Sequence, residues 1–157
     1  MGKDAAGHYV KMVHNGIEYA IMQIISEAYD FLKRGLNLSN GELHRIFRHW
    51  NEGELQSFLM EITASIFTQD DAETGNSLVD QILDKAGSKG TGKWTSQEAM
   101  NLPIPLPTID MAVSMRDISG YKEERILAAN LYKPKVKSFA TNHDKMIGQL
   151  QDAVYLS

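Results

Sequence analysis

Cysteine is absent from the 157 residues, which excludes disulfides and thiolate-bound metal ions. Positive charge is also in short supply: 16 Lys and Arg stand against 20 Asp and Glu, for a formal net charge of −4. A nucleic-acid partner held by bulk electrostatics is therefore not expected. No apolar run approaches the ~20 residues a membrane helix requires, and the N-terminus carries no signal-peptide core. The expectation is a cytoplasmic protein with no membrane partner. Strand-like alternation is almost missing, and nothing repeats with the period of a solenoid. The five histidines do not form a metal site, because His44 and His49 are off the i, i+4 spacing that puts two ligands on one helix face. No nucleophile-elbow motif supports a Ser-His-Asp arrangement.

What is present is helical. A hydrophobic share of 43% with 23% charged residues suits one globular domain spanning 1–157 with a real core. From Val10 to Leu32, Val10, Val13, Ile17, Ile21, Ile24, Ala28 and Phe31 recur every three or four positions. Gly35 stands where a C-cap glycine belongs, after Lys33 and Arg34. Ser39-Asn40-Gly41-Glu42 has the spacing of a capping box and opens a second helix towards Trp50. Asn51 and Glu54 can play the same part for a third helix through "LQSFLMEITASIF". "SLVDQILDKAG" reads as a short helix closed by Gly87, followed by a glycine-rich loop, and Thr95 can cap "SQEAMNL". Pro107 suits the first turn of a helix running to Ile118, and "KEERILAANLY" and "HDKMIGQLQDAVYL" read as two more. The fold class is all-α. The last helical pattern reaches Ser157 without a stop signal, so an incomplete C-terminal end is expected.

One line on the first helix carries unusual chemistry. At about 100° per residue, Lys11, Asn15 and Glu18 fall within an arc of about 60°, flanked by His14. Lys11 and Glu18 are two turns apart, ~10 Å along the axis, too far for a simple helix ion pair. They bracket a space with Asn15 at its middle, which suits a small polar ligand gripped between a base and an acid. The plain alternative is a solvated helix face. Against that alternative, Asn15-Gly16 in mid-helix costs ~1 kcal/mol relative to better helix formers. Close approach of a ligand or another backbone is the usual reason for such a glycine.

"GSKGTGKW", residues 87–94, nearly spells a nucleotide P-loop, but Trp94 replaces the required Ser or Thr and a helical pattern precedes it instead of a buried strand. The NTPase reading fails. Glycines beside Lys89, Thr91 and Lys93 still offer backbone N–H groups, a hydroxyl and two ammonium groups, a plausible anion cradle in an acidic chain. Arg116 could add a bidentate phosphate contact, and an ordinary exposed helix arginine is the competing reading.

Together these stretches resemble the helical C-terminal domain of the 6-phosphogluconate dehydrogenase family. "AGHYVKMVHNGIEYAIMQIISEAYD" resembles the family's catalytic helix, "ILDKAGSKGTGKWT" its most specific signature, and "AVSMRDIS" followed by "KEER" agrees in order and spacing. The looser Gly-x-x-x-Lys-x-x-x-Asn pattern of Gly7, Lys11 and Asn15 is shared with the wider β-hydroxyacid dehydrogenases, and the KGTGKW loop narrows it to the phosphogluconate branch. The resemblance implies NADP-dependent oxidative decarboxylation of 6-phosphogluconate to ribulose 5-phosphate by a homodimer. It implies Lys11 as general base and Glu18 as the acid that protonates the enediol. His14 and Asn15 would orient substrate and cofactor, and Tyr19, Lys89, Thr91 and Arg116 would hold the substrate phosphate.

The departures from the family pattern carry expectations of their own. The sequence has no Gly-x-Gly-x-x-Gly, so the NADP-binding Rossmann domain is expected to be missing and the chain alone inactive. Ile21 stands where family members carry an acid. The competing expectation is a stand-alone helical anion-binding or dimerisation module without catalysis.

Overall fold

The computed structural model describes residues 2–133 and 142–157, and these are helical throughout their regular segments. Among the described residues seven α-helices follow in order: α1 (Ala6–Asp30), α2 (Asn40–Asn51), α3 (Phe58–Ile66), α4 (Thr91–Asn101), α5 (Pro107–Ser119), α6 (Lys122–Tyr132) and α7 (His143–Leu156). The only strand-like pairing among the described residues is an isolated bridge between Asp70 and Ser77. The chain divides into two compact units. One takes the residues up to Gln23 with Asp84–Lys133, the other Ile24–Leu83 with the C-terminal segment that contains α7.

The second unit holds the larger apolar core. Leu32, Leu43, Phe47 and Trp50 are fully buried there. Phe47 meets Trp50 edge-on at 5.2 Å between ring centroids, and Phe67 packs on Phe47 at 5.5 Å and stacks with Tyr29 at 5.7 Å. Such pairs add directional attraction to the area they bury. The expected capping box opens α2: the Ser39 amide donates to Glu42 Oε2 at 2.8 Å, and Ser39 Oγ accepts from the Glu42 amide. His44 Nδ1 lies 2.9 Å from the Ala64 carbonyl and ties α2 to α3.

Several boundaries differ from those the sequence predicts. α1 does not stop at a left-handed Gly35. It passes into a π-helical turn, Phe31–Gly35, and the left-handed residue is Asn37, at φ 56°. α3 is capped by Ser57, whose hydroxyl accepts from the Met60 amide, while Asn51 turns its Oδ1 to the Ser57 amide. The helix predicted over "SLVDQILDKAG" is reduced to a 3-10 turn, Leu78–Asp80. Leu78, Ile82 and Leu83 remain 37–61% exposed, so no burial stabilises so short a helix. α5 begins at Pro107, as its fixed φ favours.

In the first unit, α4 packs between the N-terminal part of α1 and α5. The contact with α1 is made by small residues. A methyl group on Gly16 would sit 2.8–2.9 Å from the Thr95 side chain, and one on Gly92 2.5–2.6 Å from the Tyr19 ring. Thr95 is 2% exposed and donates its hydroxyl to the carbonyls of Met12 at 3.0 Å and Thr91 at 2.9 Å. It is an interior helix residue and not the predicted cap, because α4 starts four residues earlier. The closest approach to Gly16 is therefore a neighbouring helix. Asp84, paired with Lys122 and Arg125, ties α6 to the chain before α4.

Candidate active site

The packing of α1 on α4 decides what surrounds the polar line. Gly90 caps α4 at φ 97°, a left-handed conformation that glycine adopts without strain. The segment read as a glycine loop is thus already helical from Thr91. The amides of Thr91, Gly92 and Lys93 lie in the first turn, where no intrahelical acceptor exists. Free N–H groups and the positive end of the helix dipole make that turn suited to an anion.

The side chains selected from the sequence converge here. Asn15 Nδ2 reaches Thr91 Oγ1 at 3.5 Å, and the Tyr19 hydroxyl is 3.2 Å from Ser88 Oγ. The Arg116 guanidinium lies 3.9 Å over the Tyr19 ring and donates to the Gly87 carbonyl at 2.7 Å. The Ser88 hydroxyl, the Lys89 backbone amide, the Thr91 hydroxyl and the Arg116 charge all favour the phenolate of Tyr19. They hold its pKa below the ordinary tyrosine value against the opposing effect of partial burial, with the Ser88 contact the largest cause. Lys89 contributes its main chain to this cluster.

On the other side of the line, Lys11 Nζ is 3.1 Å from His14 Nδ1, and Glu18 Oε2 is 3.4 Å from that same nitrogen. Lys11, Asn15 and Thr91 also line a cavity of about 460 Å³ together with His8, Tyr9 and Trp94. Sequence reasoning missed Ser88, Thr95 and the cavity wall formed by Trp94. Ser88 was visible as a polar residue inside the glycine-rich motif. The role of Thr95 depends on α4 starting at Thr91 and was not.

Comparison with known proteins places the chain in a family. The family model "6-phosphogluconate dehydrogenase, C-terminal domain" matches residues 7–157. The NADP(+)-dependent, decarboxylating 6-phosphogluconate dehydrogenase of Bacillus subtilis (strain 168) is 57% identical over 158 residues, covering 100% of this chain and 34% of that protein. The decarboxylating 6-phosphogluconate dehydrogenase of Lactococcus lactis subsp. lactis (strain IL1403) is 52% identical, covering 100% of this chain and 33% of its own length. Among solved structures, Plasmodium falciparum 6-phosphogluconate dehydrogenase superposes with a TM-score of 0.91 at 46% identity, over 98% of this chain and 33% of that one. That enzyme is described in its apo form and in complex with its cofactor NADP+ and its substrate 6-phosphogluconate. The chain thus spans about a third of the length of the relatives it matches.

Proposed function

The chain belongs to the 6-phosphogluconate dehydrogenase family, and on that premise we propose that it forms the substrate-side core of an NADP-dependent oxidative decarboxylase. The reaction is conversion of 6-phosphogluconate to ribulose 5-phosphate and carbon dioxide. A homodimeric, cytoplasmic enzyme is part of the same reading. The observation that carries it is the meeting of two separate segments beside the polar line of α1: the 87–93 stretch that runs into the first turn of α4, and Arg116 of α5.

The α4 amides, the Thr91 hydroxyl, Lys89 and Arg116 bind the phosphate, and the Tyr19 hydroxyl adds a hydrogen bond. With the phosphate anchored there, the sugar-acid chain runs along α1. Asn15 and His14 orient it. Lys11 takes the proton of the third-carbon hydroxyl as that carbon is oxidised, and returns a proton to the carbonyl oxygen as carbon dioxide leaves. Glu18 protonates the resulting enediol at carbon.

NADP supplies the hydride acceptor when bound. The residues here fit only its reactive end, at Asn15 beside Lys11, since the sequence has no Gly-x-Gly-x-x-Gly turn and the described residues form no parallel strands.

The test is binding by the 157-residue chain itself. Three charge-assisted contacts at a partly exposed site are worth ~3–5 kcal/mol, that is, millimolar affinity. 6-Phosphogluconate and inorganic phosphate should shift the amide resonances of residues 89–93 and those around Arg116, and gluconate should shift them much less. Arg116→Ala should abolish the response. Equal shifts with gluconate, or an unchanged response in Arg116→Ala, would overturn the assignment.

A further inference from the structure

The ring of Tyr19 is held in place by its neighbours. A methyl group on Gly92 would fall 2.5–2.6 Å from it, so α4 backs the ring closely, and the Arg116 guanidinium covers it at 3.9 Å. Tyr19 is 9% exposed. With the ring pinned, the freedom left at its tip is the direction of the hydroxyl proton. That direction decides whether Tyr19 offers an incoming anion a hydrogen or a lone pair.

Ser88 is placed to decide it. Its Oγ accepts from the Gly90 amide at 3.2 Å and lies 3.2 Å from the Tyr19 hydroxyl. An amide N–H can only donate, so one lone pair of the serine oxygen is taken. The Tyr19 oxygen is fed in the same way by the Lys89 amide and the Thr91 hydroxyl, and Thr91 Oγ1 in turn receives Asn15 Nδ2 at 3.5 Å. Three N–H groups thus enter a cluster of three hydroxyls, whose bonds run to those groups and to one another. A cluster fed by donors has a hydroxyl proton left over for an acceptor from outside.

We propose that Ser88 is a positioning residue for the substrate phosphate: it donates its proton to the Tyr19 oxygen and so turns the phenol proton towards the bound anion. The proposal rests on the reading above, in which the phosphate sits at the first turn of α4. Ser88 acts through Tyr19 and not on the substrate. A phenol that accepts hydrogen bonds is also a stronger donor, because bonds along a chain polarise one another. The depressed pKa of Tyr19, with Ser88 first among its causes, agrees with a serine that donates.

The test compares Ser88→Ala and Ser88→Thr in the 157-residue chain, with inorganic phosphate as the probe and the amide resonances of residues 89–93 as the readout. Ser88 is exposed, so alanine removes a hydroxyl and little packing. Ser88→Ala should weaken phosphate about fivefold, the loss of one neutral hydrogen bond. Ser88→Thr keeps the hydroxyl and should bind as the unaltered chain does. Ser88→Ala should also raise the Tyr19 midpoint, read without phosphate from the phenol carbon resonance of the tyrosine-labelled chain. In a Tyr19→Phe background, Ser88→Ala should weaken phosphate no further. An equal loss in both backgrounds would mean that Ser88 only holds the turn before α4, and it overturns the proposal. An unchanged affinity or an unmoved midpoint in Ser88→Ala overturns it as well. If the unaltered chain gives no phosphate response, the site reading falls and the proposal with it. A response that Ser88→Ala leaves intact brings down the role of Ser88 alone.

Discussion

Gly16→Ala puts the packing of α1 on α4 to a direct test. The added methyl would lie 2.8 Å from Thr95 Cγ2 and Oγ1 and 2.9 Å from Thr95 Cβ. Three atoms of one β-branched side chain are in the way, and a β-branched residue in a helix has little rotamer freedom. Thr95 is also held by its hydrogen bonds to Met12 and Thr91 and is 2% exposed. Relief therefore requires α1 and α4 to separate. Overpacking of this kind costs ~1–3 kcal/mol. Loss of the Thr95–Met12 hydrogen bond adds ~1 kcal/mol. Replacing a mid-helix glycine by alanine returns ~1 kcal/mol. The net expectation is destabilisation by ~1–3 kcal/mol, a fall in Tm of ~2–10 °C for a chain of this size. Urea unfolding should be followed by far-ultraviolet circular dichroism. Gly7→Ala serves as the control on the same helix, because nothing lies within 4 Å of a methyl there, and it should be neutral or mildly stabilising. In the double variant Gly16→Ala/Thr95→Ala the contacts with Cγ2 and Oγ1 are removed and only the Cβ contact at 2.9 Å remains, so its cost should be smaller than the sum of the single costs. A Gly16→Ala protein as stable as the Gly7→Ala control would refute the close approach of the two helices and the site geometry built on it.

Two further outcomes are expected. Hydrogen bonds from Lys122 and then Arg125 hold the Asp84 carboxyl at about 2, below its ordinary value of 3.8. A carboxylate with a depressed folded pKa contributes stability that is present above the ordinary value and is lost as pH falls towards 2. Acid unfolding between pH 4 and pH 2 should thus be shallower in Asp84→Asn, and an unchanged acid limb would show that the α6 tie contributes nothing. Ser39→Ala removes one half of the capping box of α2 and should cost ~1 kcal/mol, read as a lower midpoint in urea. No change in that midpoint would mean that solvent satisfies the first turn as well as Ser39 does.

Sequence alone determined where α2 and α5 begin. The Ser39–Glu42 box and Pro107 act through backbone groups a few residues away, so no tertiary information is needed to read them. The polar line on α1 is likewise a matter of spacing along one helix. The line's surroundings were decided by tertiary packing. The periodic apolar stripe pointed to Val10 and Ile17, yet these are 50% and 49% exposed, and α1 instead buries Gly16, Tyr19 and Ala20 in the first unit. Burial there follows from how closely two backbones can approach, which depends on small residues meeting across α1 and α4 and not on hydrophobicity summed along one helix. The same contact brings Thr91 to Asn15, while Arg116 of α5 comes to rest over Tyr19. The sequence names these residues individually, and only the packed helices put their donors around one site.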